Sequence, residues 1–88
     1  MIKHNQMTEE QIERLKKLGL RVHDSLQDMG GTRSGVNVAP YRGDVIISAG
    51  SESAGSVAES DDGTWVTEGG TEHDTLEAAI FSSVAESL

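Results

Sequence analysis

Apolar residues in the first third of the chain recur with a helical period. Ile12, Leu15, Gly19, Val22, Leu26 and Met29 stand 3, 4, 3, 4 and 3 positions apart, the spacing that lines one face of an α-helix. Ahead of them, Thr8-Glu9-Glu10-Gln11 has the form of a capping box. The Thr8 hydroxyl accepts from the Gln11 amide while the Gln11 side chain reaches back. Glu9 and Glu10 fill the first turn, where the helix dipole favours negative charge. The pattern predicts a frayed lead-in over 1–7, one helix over 8–28 and a stop at Gly30-Gly31. Gly19 offers a second reading, in which it caps a shorter helix and Leu20-Arg21-Val22 opens a strand. The unbroken phase of the stripe favours the single helix, at a cost of about 1 kcal/mol for an internal Gly.

After a loop over 30–35 the period changes to two. Val36 and Val38 alternate with polar or small residues, and Pro40-Tyr41-Arg42-Gly43-Asp44 reads as a turn. Val45-Ile46-Ile47-Ser48 is apolar on both faces and so internal to a sheet. Asp61-Asp62-Gly63 joins Ser56-Val57-Ala58-Glu59 to Thr64-Trp65-Val66-Thr67 as a hairpin. A short repeat, Ser48-Ala49-Gly50-Ser51 and Ser53-Ala54-Gly55-Ser56, reads as a flexible connection. Beyond Gly69-Gly70, Asp74-x-x-Glu77 resembles a second capping box with Asp74 as the cap. Leu76, Ala79, Ile80, Ser83 and Val84 form an apolar stripe with Phe81 beside it. The expected fold is α+β in the order α-β-β-β-β-α. It is a small two-layer sandwich, an antiparallel meander of three or four strands with two helices packed on one face. At this length 1–88 is a single domain.

Charge changes the picture more than composition does. Residues 1–35 carry six Lys/Arg against five acids, whereas residues 36–88 carry Arg42 alone against ten acids, and the chain totals −8. That sign opposes direct binding to a phosphate backbone and attracts basic protein surfaces. A solvated face kept acidic for solubility is the plainer alternative. One Trp, one Tyr and one Phe are too few for a base-stacking surface. The chain has no cysteine, which excludes disulfides and thiolate chemistry and suits a reducing compartment. The apolar runs are short, and Met1-Ile2-Lys3-His4-Asn5 has no signal-peptide core. A cytoplasmic location is the default expectation.

Candidate chemistry is sparse. Gly50 and Gly55 have the glycine spacing of a phosphate-binding loop, but Ser56-Val57 stands where Lys-Ser/Thr is required and Glu52 adds the wrong charge. Ser53 lacks the upstream glycine of a nucleophile elbow. His4, His23 and His73 are scattered. Glu72-His73-Asp74 has the ligand types for a divalent cation, although a run-up to the helix cap explains it as well. Asp61 and Asp62 are adjacent carboxylates in a turn expected to be solvated, where pKa shifts are small. The expectation is therefore a protein that is not an enzyme and uses no cofactor or metal. Trp65 and Val66 point to opposite faces of their strand, so either Trp65 is core or it stands exposed beside the acidic hairpin as an interface anchor.

Asp74-Thr75-Leu76-Glu77-Ala78-Ala79, after a short strand and a Gly-Gly loop, resembles the strand-to-helix junction of HicB-type antitoxins. The resemblance covers the last quarter or so of the chain. The long leading helix departs from that pattern, and no DNA-binding tail is expected after Leu88. In size and charge the chain is also similar to the small acidic inhibitors that phages encode against host defence, anti-CRISPR proteins among them. The leading functional expectation is a non-enzymatic acidic protein that docks on a basic surface of a protein partner, as an inhibitor or nucleic-acid mimic. Glu59, Asp61, Asp62 and Glu68 would make the contact, with Trp65 as anchor. The alternatives are a module that self-associates as a homodimer through helix 8–28, and a HicB-like antitoxin that neutralises a co-encoded toxin.

Overall fold

A computed structural model of the chain describes residues 7–29, 34–50 and 52–88. The elements run α1 (Glu9–Lys17), β1 (Arg21–Val22), α2 (Leu26–Met29), β2 (Val36–Tyr41), β3 (Asp44–Ala49), β4 (Glu52–Glu59), β5 (Trp65–Thr67), β6 (Glu72–His73) and α3 (Leu76–Glu86). The fold is α+β. Its sheet has six strands in the order β1-β2-β3-β4-β5-β6. β1 pairs parallel to β2, and every later pair is antiparallel. The expected meander is thus present, longer than anticipated and with a parallel strand added at one edge.

The capping box forms as expected. The Thr8 amide donates to Gln11 Oε1 at 2.9 Å and the Gln11 amide to Thr8 Oγ1 at 3.1 Å. The single helix over 8–28 does not form. Gly19, with φ +90°, takes the left-handed conformation that lets a helix end without a Cβ penalty. The Leu20 amide donates to the Leu15 carbonyl at 3.1 Å and the Gly19 amide to the Lys16 carbonyl at 3.0 Å, the two bonds of a Schellman motif. Leu15 and Leu20 are both buried and supply the apolar contact that accompanies it. Residues 21–22 are then free to pair with Asn37 and Val38. The lead-in over 1–6 and the stop at Gly30-Gly31 lie outside the described residues, while Met7, expected to fray, is buried in the core.

α1 and α3 share one face of the sheet. Leu15, Val38, Val45, Ile47, Val57 and Ile80 are at most 1% exposed and belong to one cluster with Leu20, Trp65, Leu76 and Ala79. α2 packs on β2, and its side is read from the alternation of that strand. Val36 and Val38 face the cluster, so Asn37 and Ala39 point away from it. Both are nonetheless fully buried, and His23, just before α2, reaches Asn37 Oδ1 through Nε2 at 3.0 Å. The first and last helices therefore share one face, as expected of the two predicted ones, and the short α2 adds a third helix on the other face.

Two further expectations are corrected locally. The α3 N-cap is Thr75, whose hydroxyl accepts from the Ala78 amide at 3.3 Å, not Asp74. The Ser/Ala/Gly repeat is no flexible connection: Ser53-Ala54-Gly55-Ser56 lies within β4, and Ser48 pairs with Ser53. The register shifts between Ile46 and Ser48, and Gly55 at φ +93° takes up the irregularity. The turn after Tyr41 is a two-residue hairpin in which Arg42 and Gly43 both have positive φ, 50° and 89°, as a type I′ turn requires. Pro40 lies past the end of β1, where no ladder donor is needed.

Candidate partner-binding surface

The β4–β5 hairpin closes through Ser60 to Thr64. The Ser60 amide donates to the Thr64 carbonyl at 2.8 Å and the Gly63 amide to the Ser60 carbonyl at 3.0 Å. Asp62 holds this turn. Its Oδ1 accepts from the Ser60 hydroxyl, from Thr64 Oγ1 at 3.0 Å and from the Thr64 amide at 3.4 Å. The Ser60 hydroxyl, then the Thr64 hydroxyl and amide, hold its carboxyl below the usual range. Thr64 Oγ1 also stands 3.5 Å from Glu72 Oε1, so two carboxylates flank one hydroxyl.

The five residues singled out from the sequence play different parts. The side chains of Glu59 and Asp61 are exposed and make no hydrogen bond or ion pair among the described residues. Asp62 is committed to its own turn, and Glu68 accepts from Ser56 Oγ at 3.2 Å. Trp65 is 4% exposed and sits in the main cluster. Its burial removes the exposed-anchor reading and places Val66 on the far side of the sheet.

That far side has a regular composition, fixed by register. Tyr41 pairs with Asp44, Asp44 with Ala58, Ala58 with Val66 and Val66 with Glu72. Directly opposed residues share a face, so these five form one row across β2 to β6. Ile46 and Ser56 form part of the next row. Ile46, Ala58 and Val66 are half-buried. Of the described helices, α2 alone packs against this side, and it does so over β2. Sequence reading missed the row because Asp44, Ala58 and Glu72 become neighbours only through pairing.

At the opposite corner, Glu86 ties α3 to the sheet. Its Oε2 accepts from Thr71 Oγ1 at 2.8 Å, Ser82 Oγ at 3.2 Å and Thr67 Oγ1 at 3.3 Å. The Thr71 and Thr67 hydroxyls, with smaller help from Ser82 and the Gly69 amide, hold its carboxyl below the usual range. They compensate for an acidic side chain at a helix C-terminus, where the dipole disfavours it. Both Asp62 and Glu86 thus have lowered folded-state pKa values. Their contribution is in full force above the unfolded-state range, about pH 4, and is lost as pH falls through the folded-state values. Glu86→Gln and Asp62→Asn are expected to melt below the parent protein at neutral pH, with the gap closing in acid. Calorimetry across that range is the check, and a gap that stays constant with pH would refute the assignment.

Other candidate chemistry does not assemble. In β6, His73 pairs with Trp65 while Glu72 pairs with Val66, so neighbouring ligand types point to opposite faces. Among the described residues no group of three or more His, Asp or Glu is placed to hold a metal ion. The glycines at 50 and 55 do not frame a phosphate loop, since Gly55 lies inside β4. A cleft of about 400 Å³ beside Glu68 and Glu86 is walled by Ser53, Gly55, Ser83 and Ser87 and offers hydroxyls and carboxylates without a base or nucleophile pair. Among the described residues no helix is long and apolar enough to cross a membrane.

Fold and surface together define a small α+β protein with a mixed six-stranded sheet, helices on both faces and an acidic hairpin end. No known protein family, curated protein or solved structure matches the chain.

Proposed function

We propose that this is a non-enzymatic binding protein whose acidic hairpin end docks on a basic surface of a protein partner. Where that surface ordinarily holds nucleic acid, the protein competes for it as an acidic mimic, in the manner of phage-encoded inhibitors of host defence. One observation carries the reading: over residues 36–88 Arg42 alone stands against ten carboxylates, and its guanidinium lies 5.3 Å from the Tyr41 ring centre. Glu77 is the one carboxylate of that stretch with an ion pair among the described residues, 3.6 Å from Arg14. The other nine have no ion pair among the described residues, a distribution that steers association with a cationic surface and disfavours anions.

Glu59 and Asp61 give the cleanest test, because Asp62 and Glu68 also support the hairpin. Glu59→Lys combined with Asp61→Lys is expected to weaken binding at least tenfold, or about 1.4 kcal/mol, while leaving the melting temperature nearly unchanged. The partner is first captured from host lysate, then titrated at low and high salt with and without competing DNA. Binding that ignores both charge reversal and salt would leave the acidic end as a solvated face only.

A further inference from the structure

We propose that the side of the sheet opposite α1 and α3 is a seat for one amphipathic helix of the partner, apolar along one stripe and lined with Lys or Arg on both flanks. The proposal rests on the acidic-docking reading and names the form the basic surface takes.

The dimensions come from the strand register. Asp44 lies on β3 and Glu72 on β6, in one row with Ala58 and Val66 between them. Strands are about 4.8 Å apart, so the two carboxylate-bearing positions stand about 14 Å from one another. An α-helix with its side chains is about 10–12 Å across. A helix laid along β4 and β5 therefore fits between the two carboxylates, with its basic flanks reaching one on each side. The floor is shallow: Ala58 and Val66 lie beneath the axis, Ile46 stands diagonally beside Ala58, and Ser56, whose hydroxyl donates to Glu68, precedes Ala58 along β4. Asp62 extends the acidic wall of Glu72 through Thr64.

Charge complementarity selects the occupant. A second copy of this chain carries the same −8 and would bring Asp44 and Glu72 against their like. A nucleic acid is repelled by the same carboxylates. An added β-strand finds little to pair with, because β1 and β6, the sheet edges, are two residues long each. A helix instead presents apolar and basic residues together at i, i+3 and i+4 spacing, the helix-in-groove mode of recognition.

The test uses the full chain with labelled methyl groups and three synthetic probes: a basic amphipathic helical peptide, a scrambled peptide of the same composition, and oligolysine. The helical peptide is expected to shift the methyl resonances of Ile46, Ala58 and Val66 and to bind at least tenfold more tightly than the scrambled one. Val66→Lys should remove that preference while oligolysine binding changes less than twofold. Because the mapping is done on the unmodified chain, it stands even where the variant folds poorly. If all three probes bind alike and shift only signals around Glu59 and Asp61, the helix seat is wrong and acidic docking survives. If no basic probe binds, both fall. If the same methyl signals shift on diluting the protein alone, the occupant is a second copy and the proposal is overturned.

Discussion

Replacing Trp65 by Ala is expected to remove about 3–5 kcal/mol of stability, the usual cost of deleting a large buried aromatic. Trp65 is 4% exposed and packs in the cluster that joins both long helices to the sheet. It stands on β5 opposite Glu59 on β4 and His73 on β6. A chain of this size has roughly 4–13 kcal/mol in total, so the loss is a large fraction of its stability. Urea denaturation followed by circular dichroism measures the loss. In the parent protein the single Trp should emit as a buried indole, shielded from aqueous quenchers, and unfolding should expose it. An interface anchor would behave oppositely, losing affinity for the partner on replacement while leaving stability nearly intact.

Gly55→Ala carries the second large effect, about 2–5 kcal/mol, from two separable causes. At φ +93° a side chain suffers backbone strain of about 1–2 kcal/mol. The added Cβ would also lie 2.8 Å from Ser83 Oγ, an overlap of the kind that costs about 1–3 kcal/mol in a packed core. Ser83 has little room to yield, because it is 3% exposed and its hydroxyl donates to the Ala54 carbonyl at 2.6 Å. At about 4–8 °C per kcal/mol for a domain of this length, a fall in melting temperature of at least 8 °C is expected. A double-mutant cycle with Ser83→Ala separates the causes. The steric part should be relieved in the double variant, leaving the backbone part. Strict additivity would show that Ser83 does not limit the approach.

Local signals were legible where a short stretch of chain fixes its own geometry. The Thr8 capping box, the interior strand at Val45–Ile47 and the hairpin through Asp61-Asp62-Gly63 each depend on a few adjacent residues and formed as read. The first helix was misjudged because its stripe, Ile12 to Met29, stays in phase across Gly19. Periodicity cannot distinguish one long helix from a helix and a strand that bury into the same core. The local contest was decided by Leu15 and Leu20 packing together across the glycine, which closes the Schellman motif. Asp74 and Thr75 are both good caps, and the one that formed is the one whose hydroxyl reaches the Ala78 amide.

The candidate surface was less legible than the fold. Glu59 and Asp61 are exposed carboxylates, as their composition suggested. Nothing in the linear order says that Asp62 and Glu68 serve their own hairpin, or that Asn37, flanked by two valines in a strand, is a buried partner of His23. Pairing brings Tyr41, Asp44, Ala58, Val66 and Glu72 into one row although they span 32 positions of chain. A residue's face depends on the phase of its own strand, but its neighbours depend on register, which is a property of two strands at once.

The sequence by itself determined an α+β chain with a capped first helix, an antiparallel core of strands and an acidic second half, because these follow from local hydrogen bonding, hydrophobic period and charge. Tertiary structure alone decided that Gly19 ends a helix, that β1 runs parallel to β2, that Trp65 lies inside and Val66 outside, and that carboxylates distant in sequence share one face. Each of those outcomes turns on which apolar surfaces bury against one another, and burial is settled by the whole chain rather than by any segment of it.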